Sequence, residues 1–523
     1  MYCIICESNY VLLFCLINDL PRFLSQDVQW NDIDYMTDYL DFTYDNKSFK
    51  SLPDMVDDLH KNQQKYVMII DPGISKTQPE NTYSAYDEGI EMDIFIKTHD
   101  GSGFADGRVW PGDTVFPDFS HPNSSIYWEN QLRKYHSLIP FDGVWVDMNE
   151  PSSFIDGSSN GCPDKSNKLD YPPYTPRVTG RALYKKTLCP SSQQYYSSHY
   201  DMHSLTGLLE MKATRDALVK IRNRRPFVIS RSTFPSAGQY GGHWSGDIFS
   251  TWRDMKQSIT SIINFNLFGV PLVGADICGF VGPTSEELCT RWMQLGAFYP
   301  FNRNHNAQNS PGQAPVQFSE EAQGNMRHAL MMRYMLLPYL YTLFASAHVN
   351  GTTVARGLFA EFPTDPLALK VDEQFMWGSA LLITPVLEIG ASQVSGYLPS
   401  AIWYDLYNDF GKKYISTGEV VQFTAPISRM PLHIKGGSVI PAQYPDLTTA
   451  GSRSNPFVLY VARDENGNAN GKLFWDDGDT IGTIAKKQYT LVEFHVENSM
   501  LHSVVENLPG GPHEDIVVNH SIF

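Results

Sequence analysis

Short apolar runs alternate with longer amphipathic segments from Asp27 onward, and most of the runs stop abruptly at polar residues. The clearest run is Val-Trp-Val at residues 144–146, which follows Gly143 and ends at Asp147. Its length and β-branched content are typical of a buried strand. Similar runs predict strands over residues 28–34, 66–70, 227–230, 270–275 and 298–301, and another near residue 242.

The segments between these runs predict helices. Helices are expected over residues 52–63, 204–221 and 251–265. The longer apolar stretch 329–345 contains Arg333 and Pro338, which favours a kinked core helix over a membrane span. Strands that alternate with helices and end in charged residues predict an α/β fold of the (β/α)8 barrel type, with a polar C-terminal rim.

Two stretches interrupt the alternation, and the chain changes character after residue 349. Residues 73–136 and 152–200 are rich in turn-forming residues, so we predict loop inserts in a catalytic barrel that spans residues 27–349. Beyond it, residues 350–440 and 441–523 predict two C-terminal all-β sandwich domains, the distal one incomplete.

One segment of the distal domain allows two interpretations. The strings FVLYVA and KLFWDD, on either side of RDENGNANG, predict a β-hairpin. Asp464, Asn466, Asn468 and Asn470 alternate as in a calcium-binding loop. Ala469 stands where such a loop needs Gly, and the bidentate Glu is absent, so a simple turn is favoured.

The charge balance excludes one class of partner. The formal net charge is -17 and the pI is about 5.3, whereas nucleic-acid binding requires a basic surface. We therefore expect no nucleic-acid partner. Residues 10–17 form an apolar run that is too short to span a membrane, and it lacks the basic start and clear cleavage site of a signal peptide.

The cysteines and glycosylation sequons favour a secretory or lysosomal route. Besides Cys3, Cys6 and Cys15, the chain has two short-range pairs placed to close loops as disulfides in an oxidising compartment: Cys162 with Cys189, and Cys278 with Cys289. Neither pair has metal-site spacing. Four N-x-S/T sequons predict N-glycans: Asn46, Asn123, Asn350 and Asn519.

A set of strings along the chain resembles a known enzyme family. In chain order they are WNDIDYM, DPGIS, WVDMNEPSSF, RSTF, GGHWSGD, GADICGF and RNHN. On these strings the chain resembles glycoside hydrolase family 31, the retaining α-glucosidases, over roughly residues 28–477. The resemblance implies a TIM-type barrel followed by β domains. Residues 1–26 show nothing like the family's first barrel strand and helix, so the first βα unit is predicted to be missing.

The resemblance implies two catalytic carboxylates. Asp147 would be the nucleophile, and Asp247 in GGHWSGD would be the general acid/base. Retention needs the two carboxyl groups about 5 to 5.5 Å apart, so we expect about 5 to 6 Å here. Arg231 in RSTF is the cation expected to keep Asp147 charged. Glu150 competes for the acid role, but a supporting role that orders the loop is favoured.

The resemblance also implies the substrate contacts. Glucose hydroxyls are expected to meet Asp32, Arg231, Asp276 and His305. An apolar wall is expected from Trp145, Met148, Trp244 and Phe280, with Trp110 and Ile69 at its edge. No cofactor or metal is implied, and His305 has no second His or Cys at ligand spacing.

The function expected from the resemblance is hydrolysis of terminal non-reducing α-linked glucose, with retention, from maltose-type oligosaccharides, glycogen or starch. Two alternatives stay open: a catalytically inactive carbohydrate-binding remnant, and an α-xylosidase of the same family. The resemblance implies a lysosomal or extracellular location.

Overall fold

The computed structural model describes residues 3–5, 26–163, 165–408, 412–507 and 518–522. They belong to two compact units. The central unit is Trp30–His243, and the terminal unit consists of the described parts of Met1–Gln29 and Trp244–Phe523.

The secondary-structure elements are named here in chain order. The strands are β1 Cys3–Ile5, β2 Val28–Asn31, β3 Lys65–Ile70, β4 Ile74–Ser75, β5 Asp106–Val109, β6 Gly112–Val115, β7 Gly143–Val146, β8 Phe227–Ser230, β9 Gly242–Trp244, β10 Val273–Gly274, β11 Asp276–Ile277, β12 Asn302–Asn304, β13 Ala355–Arg356, β14 Phe375–Trp377, β15 Leu381–Ile383, β16 Gln393–Leu398, β17 Ala401–Asp405, β18 Lys413–Ser416, β19 Glu419–Thr424, β20 Leu432–Lys435, β21 Ser438–Gln443, β22 Phe457–Ala462, β23 Ala469–Trp475, β24 Thr490–Glu497, β25 Met500–Asn507 and β26 Val518–Ile522. The helices are α1 Leu52–Lys61, α2 Ser84–Glu91, α3 Ser124–Leu138, α4 His199–Met202, α5 Thr206–Arg222, α6 Trp252–Leu267, α7 Glu286–Gly296, α8 Glu320–Asn350, α9 Leu358–Glu361 and α10 Thr449–Ser452.

Parallel strands give the central unit its framework. β3 pairs with β7, β7 with β8, and β8 with β9, all in parallel register. Ile69, Trp145 and Ile229 lie opposite one another in this ladder and are buried. All four residues of β7 are buried, as expected for a parallel strand covered on both faces. The strands predicted at residues 66–70, 144–146, 227–230 and near 242 are confirmed.

Polar residues follow these strands at one edge. Asp71 follows β3, Asp147 follows β7 and Arg231 follows β8. Because the strands are parallel, their C-terminal ends face the same side. Gly143 allows β7 and β8 to approach closely, since a Cβ there would lie 2.8 Å from Phe227 Cδ1. Within the central unit, the predicted polar rim is confirmed.

Other elements of the central unit differ slightly from their predicted bounds. Helices α1 and α5 begin and end within two residues of the prediction. Strand β2 ends at Asn31 instead of residue 34. The reason is Asp32, whose carboxylate accepts the Ile33 amide at 2.7 Å and caps a 3₁₀ turn over Ile33–Tyr35.

The predicted insert at residues 73–136 is more regular than its composition suggests. It contains the antiparallel sheet β4-β6-β5 and helix α2, and helix α3 begins inside it and continues to Leu138. Aromatic rings fill its interior: Phe95 stacks on Tyr86 and meets Tyr127 edge-on. The second predicted insert, residues 152–200, consists mainly of turns and bends.

The terminal unit also contains parallel strands. β1 pairs with β12, Ile4 of β1 lies opposite Val28, and β11 pairs with β12. The sequence predicts no strand in residues 1–26, and β1 corrects that prediction. Its Cys-Ile-Ile run is apolar but too short to stand out by pattern. The prediction that the first barrel helix is missing falls on residues 6–25, outside the described part of the chain.

Two predicted strands of the terminal unit are wrong in extent or position. The run at 270–275 forms only the short β10, and the run at 298–301 is a turn that precedes β12. The physical reason for the second error is the buried guanidinium of Arg333. It donates, at 2.7, 2.6 and 3.0 Å, to the carbonyls of Ala297, Tyr299 and Pro300.

The C-terminal part of the terminal unit is built mainly from β-sheets, as predicted, and also contains the short helices α9 and α10. One sheet has the order β13-β14-β15-β20-β17-β18, another has β25-β24-β23-β21-β22-β26, and β16 pairs with β19. The predicted hairpin is wrong, because β22 and β23 both pair with β21 and not with each other. Ser438 of β21 lies opposite Ala462 on one side and Asn470 on the other. Alternation and a turn-rich connection cannot reveal that a third strand lies between two neighbours in sequence.

Helix α8 lies in the apolar core of the terminal unit. It contains the stretch predicted as a core helix, with Pro338 inside it. Its buried side chains cluster with those of α6, α7, β14 and β15. Across the described residues, no helix is both long and apolar enough to cross a membrane.

Candidate active site

The loop after β7 carries the predicted nucleophile. The Asp147 side chain is 12% exposed, and its Oδ1 accepts the Met148 amide at 2.7 Å. Met148 has φ 54°, a left-handed conformation that a non-glycine residue seldom adopts. Such positions occur often at functional sites. The carboxylate is thus held at the strand tip by its own loop.

Arg231 contacts both carboxylates of this loop. Its Nη1 lies 3.0 Å from Asp147 Oδ1. Its Nε and Nη2 donate to the two oxygens of Glu150 at 3.0 and 3.2 Å. Bidentate charge-assisted contacts of this kind fix orientation as well as charge. The cation expected beside Asp147 is present, and Glu150 orients that cation.

Two further acids of the central unit, Asp41 and Asp71, are buried. The Asp71 amide donates to Asp41 Oδ1 at 2.8 Å. Burial raises the pKa of both carboxyls well above the usual range. The charges of Asp41, Asp147 and Asp32 raise the pKa of Asp71 further, and Arg231 opposes them. Burial thus favours the protonated forms of Asp41 and Asp71, and the Arg231 guanidinium makes its ion pairs with Asp147 and Glu150.

Glu210 of helix α5 is another fully buried acid. Neither of its carboxyl oxygens has a hydrogen-bond partner within the described parts of the chain. Burial raises the pKa of Glu210 well above its usual range. The Asn149 amide opposes that rise, whereas the charges of Glu150 and Asp147 add to it. Burial therefore favours the neutral form of Glu210 in the folded protein.

The predicted apolar residues of the central unit are mostly buried. Ile69 and Trp145 are 1% and 3% exposed, and the Trp145 ring centroid lies 6.0 Å from that of Trp30. Met148 is buried in an apolar cluster of the inserts, and its sulfur lies 3.3 Å from Arg231 Nη2. Met148 thus contacts the cation that binds Asp147.

Trp110 differs from these residues because it is exposed. Its ring is 44% exposed and meets Phe154, 48% exposed, edge-on at 4.9 Å. The Phe154 amide donates to the Arg108 carbonyl at 2.7 Å, which ties the two segments together. The pair presents apolar ring surface to solvent on a backbone that is held in place.

The predicted residues of the terminal unit make ion-pair and ring contacts. Asp276 Oδ1 accepts from Arg303 Nε and Nη2 at 3.1 and 2.6 Å, and both side chains are fully buried. The Arg303 guanidinium lies 5.3 Å from the Trp244 ring centroid, a cation–π contact. The rings of Phe280 and His305 are 5.3 Å apart.

Asp247, the predicted acid/base, also belongs to the terminal unit. It is exposed and follows Gly246, whose φ of 71° requires the left-handed region. Asp147 belongs to the central unit. The expected separation of about 5 to 6 Å between the two carboxyl groups stays a prediction.

Comparison with known families identifies the chain. Residues 22–343, more than half of its length, match the Glycosyl hydrolases family 31 TIM-barrel domain. The chain belongs to glycoside hydrolase family 31. Residues 351–440 match the C-terminal domain of the same family. The barrel followed by C-terminal β structure, expected from the sequence, is therefore confirmed.

Individual relatives of this family 31 chain are long proteins. Rat lysosomal alpha-glucosidase is 51% identical over 491 residues, which cover 91% of this chain and 51% of the relative. Human intestinal sucrase-isomaltase is 47% identical over 502 residues, or 95% of this chain and 26% of the relative. The crystal structure of a glucosidase II alpha subunit has a TM-score of 0.88 at 30% identity and covers 98% of this chain and 54% of that one. The chain spans about half the length of the lysosomal alpha-glucosidases it matches.

Both predicted disulfides are present in this family 31 member. Cys162 is bonded to Cys189, and Cys278 to Cys289. Three of the sequon asparagines are exposed: Asn46, Asn123 and Asn350. The fourth, Asn519, lies in β26, whose side chains fall outside the description.

Metal binding has little support from the described residues. One group of possible metal ligands among the described residues has its ligand atoms within 4.8 Å of one another: Cys162, Asp170 and Cys189. Both sulfurs are committed to a disulfide, and Asp170 accepts from the amide and hydroxyl of Ser191. In the segment compared with a calcium loop, Asp464 accepts amides of its own turn, at 2.9 Å each, from Asn466 and Asn468.

Sequence reasoning missed four residues at or near the site. Three of them lie in the strings that carry the family resemblance, Asn149 and Phe154 in WVDMNEPSSF and Asp71 in DPGIS. Their positions in those strings could have pointed to them. Glu210 carried no signal, because a Glu on an amphipathic helix usually faces water.

Proposed function

We propose that this family 31 chain is a retaining, exo-acting α-glucosidase that releases terminal glucose from maltose-type oligosaccharides, glycogen or starch. The observation that carries the proposal is the contact of Arg231 with both Asp147 and Glu150. A nucleophilic carboxylate must be ionised, and an adjacent guanidinium favours the ionised form. Burial raises the pKa of the neighbouring Asp41 and Asp71, which favours their neutral forms and supports the pairing of that cation with Asp147 and Glu150. The names of the relatives supply the substrate class.

The proposed reaction has two displacement steps. Asp147 attacks the anomeric carbon while the glycosidic C–O bond breaks and Asp247 gives its proton to the leaving oxygen. The ionised Asp247 then takes a proton from water, whose oxygen bonds to the anomeric carbon as the bond to Asp147 breaks. Two inversions give net retention, so the product is α-glucose.

Substrate contacts are proposed from the same set of residues. The polar ones are Asp32, Arg231, Asp276 and His305. The apolar ones are Ile69, Trp145, Met148, Trp244 and Phe280, together with the exposed Trp110 and its neighbour Phe154. The exposed ring surface of the Trp110–Phe154 pair supports a contact with the outer part of the substrate.

A lysosomal or secretory location is proposed as well. Two disulfides form in the chain, which is typical of an oxidising compartment. The proposed N-glycans would occupy the exposed Asn46, Asn123 and Asn350, with Asn519 as a fourth site.

Three Asp→Asn variants of the full chain test the mechanism. Asp147→Asn should abolish turnover of both maltose and α-glucosyl fluoride. Asp247→Asn should lose turnover of maltose but keep part of it on the fluoride, whose leaving group needs little protonation. Asp57, exposed on helix α1, provides the matched control, and Asp57→Asn should retain wild-type rates. Equal losses on both substrates for Asp247→Asn would contradict its assignment.

Product and substrate analysis separates the alternatives. NMR of the first-formed sugar should show α-glucose, and β-glucose would contradict retention. Faster hydrolysis of an α-xyloside than of the matching α-glucoside would favour the α-xylosidase. A wild-type chain that binds maltose without hydrolysing it would favour the inactive remnant.

A further inference from the structure

Asn149 is fully buried in the loop that carries Asp147 and Glu150. Its Nδ2 donates to Ser230 Oγ at 2.8 Å, and its Oδ1 accepts the Ser232 amide at 3.0 Å. These two partners are the residues on either side of Arg231. One amide side chain therefore contacts the Ser230 hydroxyl before the cation and the Ser232 backbone after it.

These two Asn149 contacts, called the clamp below, lie where the hydrogen-bond ladder between β7 and β8 becomes weak. The Arg231 amide reaches the Val146 carbonyl at only 3.4 Å, at the long limit of a hydrogen bond. Beyond Ser230, the last residue of β8, regular pairing with β7 ends. Where the ladder ends, Asn149 contacts the Ser230 hydroxyl on one side of Arg231 and the Ser232 amide on the other, so it restrains the segment that carries the guanidinium.

We infer that Asn149 is a positioning residue that fixes Arg231 against the nucleophile. The inference rests on the proposed function and deepens it. Asn149 acts through Arg231, whose Nη1 lies 3.0 Å from Asp147. The loop thus restrains Arg231 in two ways. Asp147 and Glu150 bind its guanidinium, and Asn149 contacts the residues on either side of it.

The test compares two buried asparagines in the full chain. Asn149→Ala removes the clamp. Asn266→Ala is the matched control, because Asn266 is buried on α6 and accepts two backbone amides, those of Val354 and Ala355, at 2.9 and 3.2 Å. Each variant deletes one buried amide side chain and leaves backbone amides without their acceptor, one (Ser232) in Asn149→Ala and two in Asn266→Ala. A loss that came only from general destabilisation would appear in both.

Activity and its pH dependence are the first readout. With a misplaced cation, kcat/KM on maltose should fall about 100-fold in Asn149→Ala. The acid limb of its pH profile should move about one unit or more towards higher pH, because Asp147 is more easily protonated without its cation. Asn266→Ala should keep the wild-type limb. The inference is overturned if Asn149→Ala also keeps that limb and loses no more activity than the control.

Hydrogen exchange gives a readout that needs no turnover. In peptides spanning residues 227–236, Asn149→Ala should exchange faster than wild type at the Ser232 amide, which has lost its acceptor. Ser230→Ala should leave that amide protected, because its acceptor Asn149 Oδ1 stays in place, although the Ser230 hydroxyl no longer accepts from Asn149 Nδ2 or donates to the Ser232 carbonyl. An inactive wild-type chain would refute the proposed function, while unchanged exchange in Asn149→Ala would refute the clamp itself.

Discussion

Glu210→Gln tests whether the buried acid of α5 is neutral in the folded protein. Glutamine has nearly the same shape and no charge, so it mimics the protonated acid at every pH. Burial raises the folded-state pKa of Glu210 well above its ordinary value of 4.5. In the unfolded chain the side chain is in water and titrates near that ordinary value.

The sign and size of the effect follow from linkage. Above about pH 4.5 the folded protein holds the Glu210 proton and the unfolded chain releases it, so rising pH favours unfolding. The contribution of Glu210 is fully present below that pH and is lost as pH rises towards the folded-state pKa. Wherever the folded protein keeps the Glu210 proton and the unfolded chain has lost it, the stability changes by about 1.4 kcal/mol per pH unit.

Urea unfolding of both proteins across pH 4.5 to 7.5 measures this slope. Taking the difference between variant and wild type removes other titrations, including that of buried His199, whose pKa burial lowers to about 3. That histidine acts with the opposite sign, since its contribution is lost as pH falls below about 6.5. The free energy of unfolding of Glu210→Gln should therefore rise relative to that of wild type as the pH rises. Glu465→Gln, at an exposed turn, should show no such trend. A flat difference for Glu210→Gln would refute a neutral Glu210.

Three other substitutions test other parts of the structure. Arg333→Met should lower the free energy of unfolding in urea by about 3 kcal/mol or more, because three carbonyls lose a buried charged donor. The same substitution at the exposed Arg253 should change it little, and equal losses would contradict the role of Arg333. Cys278→Ser opens a loop closed over 11 residues and should lower stability by about 2.8 kcal/mol on the chain-entropy estimate, and no loss under oxidising conditions would contradict it. Trp110→Ala should raise KM for maltotriose about five-fold with little change in kcat, because an exposed aromatic contact contributes about 1 kcal/mol to binding. An unchanged KM would show that Trp110 does not contact the substrate.

Much of the framework was predictable because strands in a covered parallel sheet are continuously apolar. Runs such as residues 66–70 and 227–230 matched β3 and β8 closely. The errors arose where one remote side chain decided local structure. The apolar run at 298–301 is a turn because Arg333, more than thirty residues away, engages its carbonyls. The hairpin error has a similar origin, since β21 separates β22 from β23.

The sequence by itself determined the family, the cysteine pairs and the strand tip that carries Asp147. These follow from residue identity and short-range order along the chain. Only the tertiary structure decided that Arg231 binds Asp147 and Glu150 together, that Asn149 contacts the residues on both sides of Arg231, and that Glu210 is buried with a raised pKa. The physical reason is that charge state and hydrogen bonding depend on what surrounds a side chain in space. Those surroundings come from residues some sixty to eighty positions apart in the sequence, which no local pattern records.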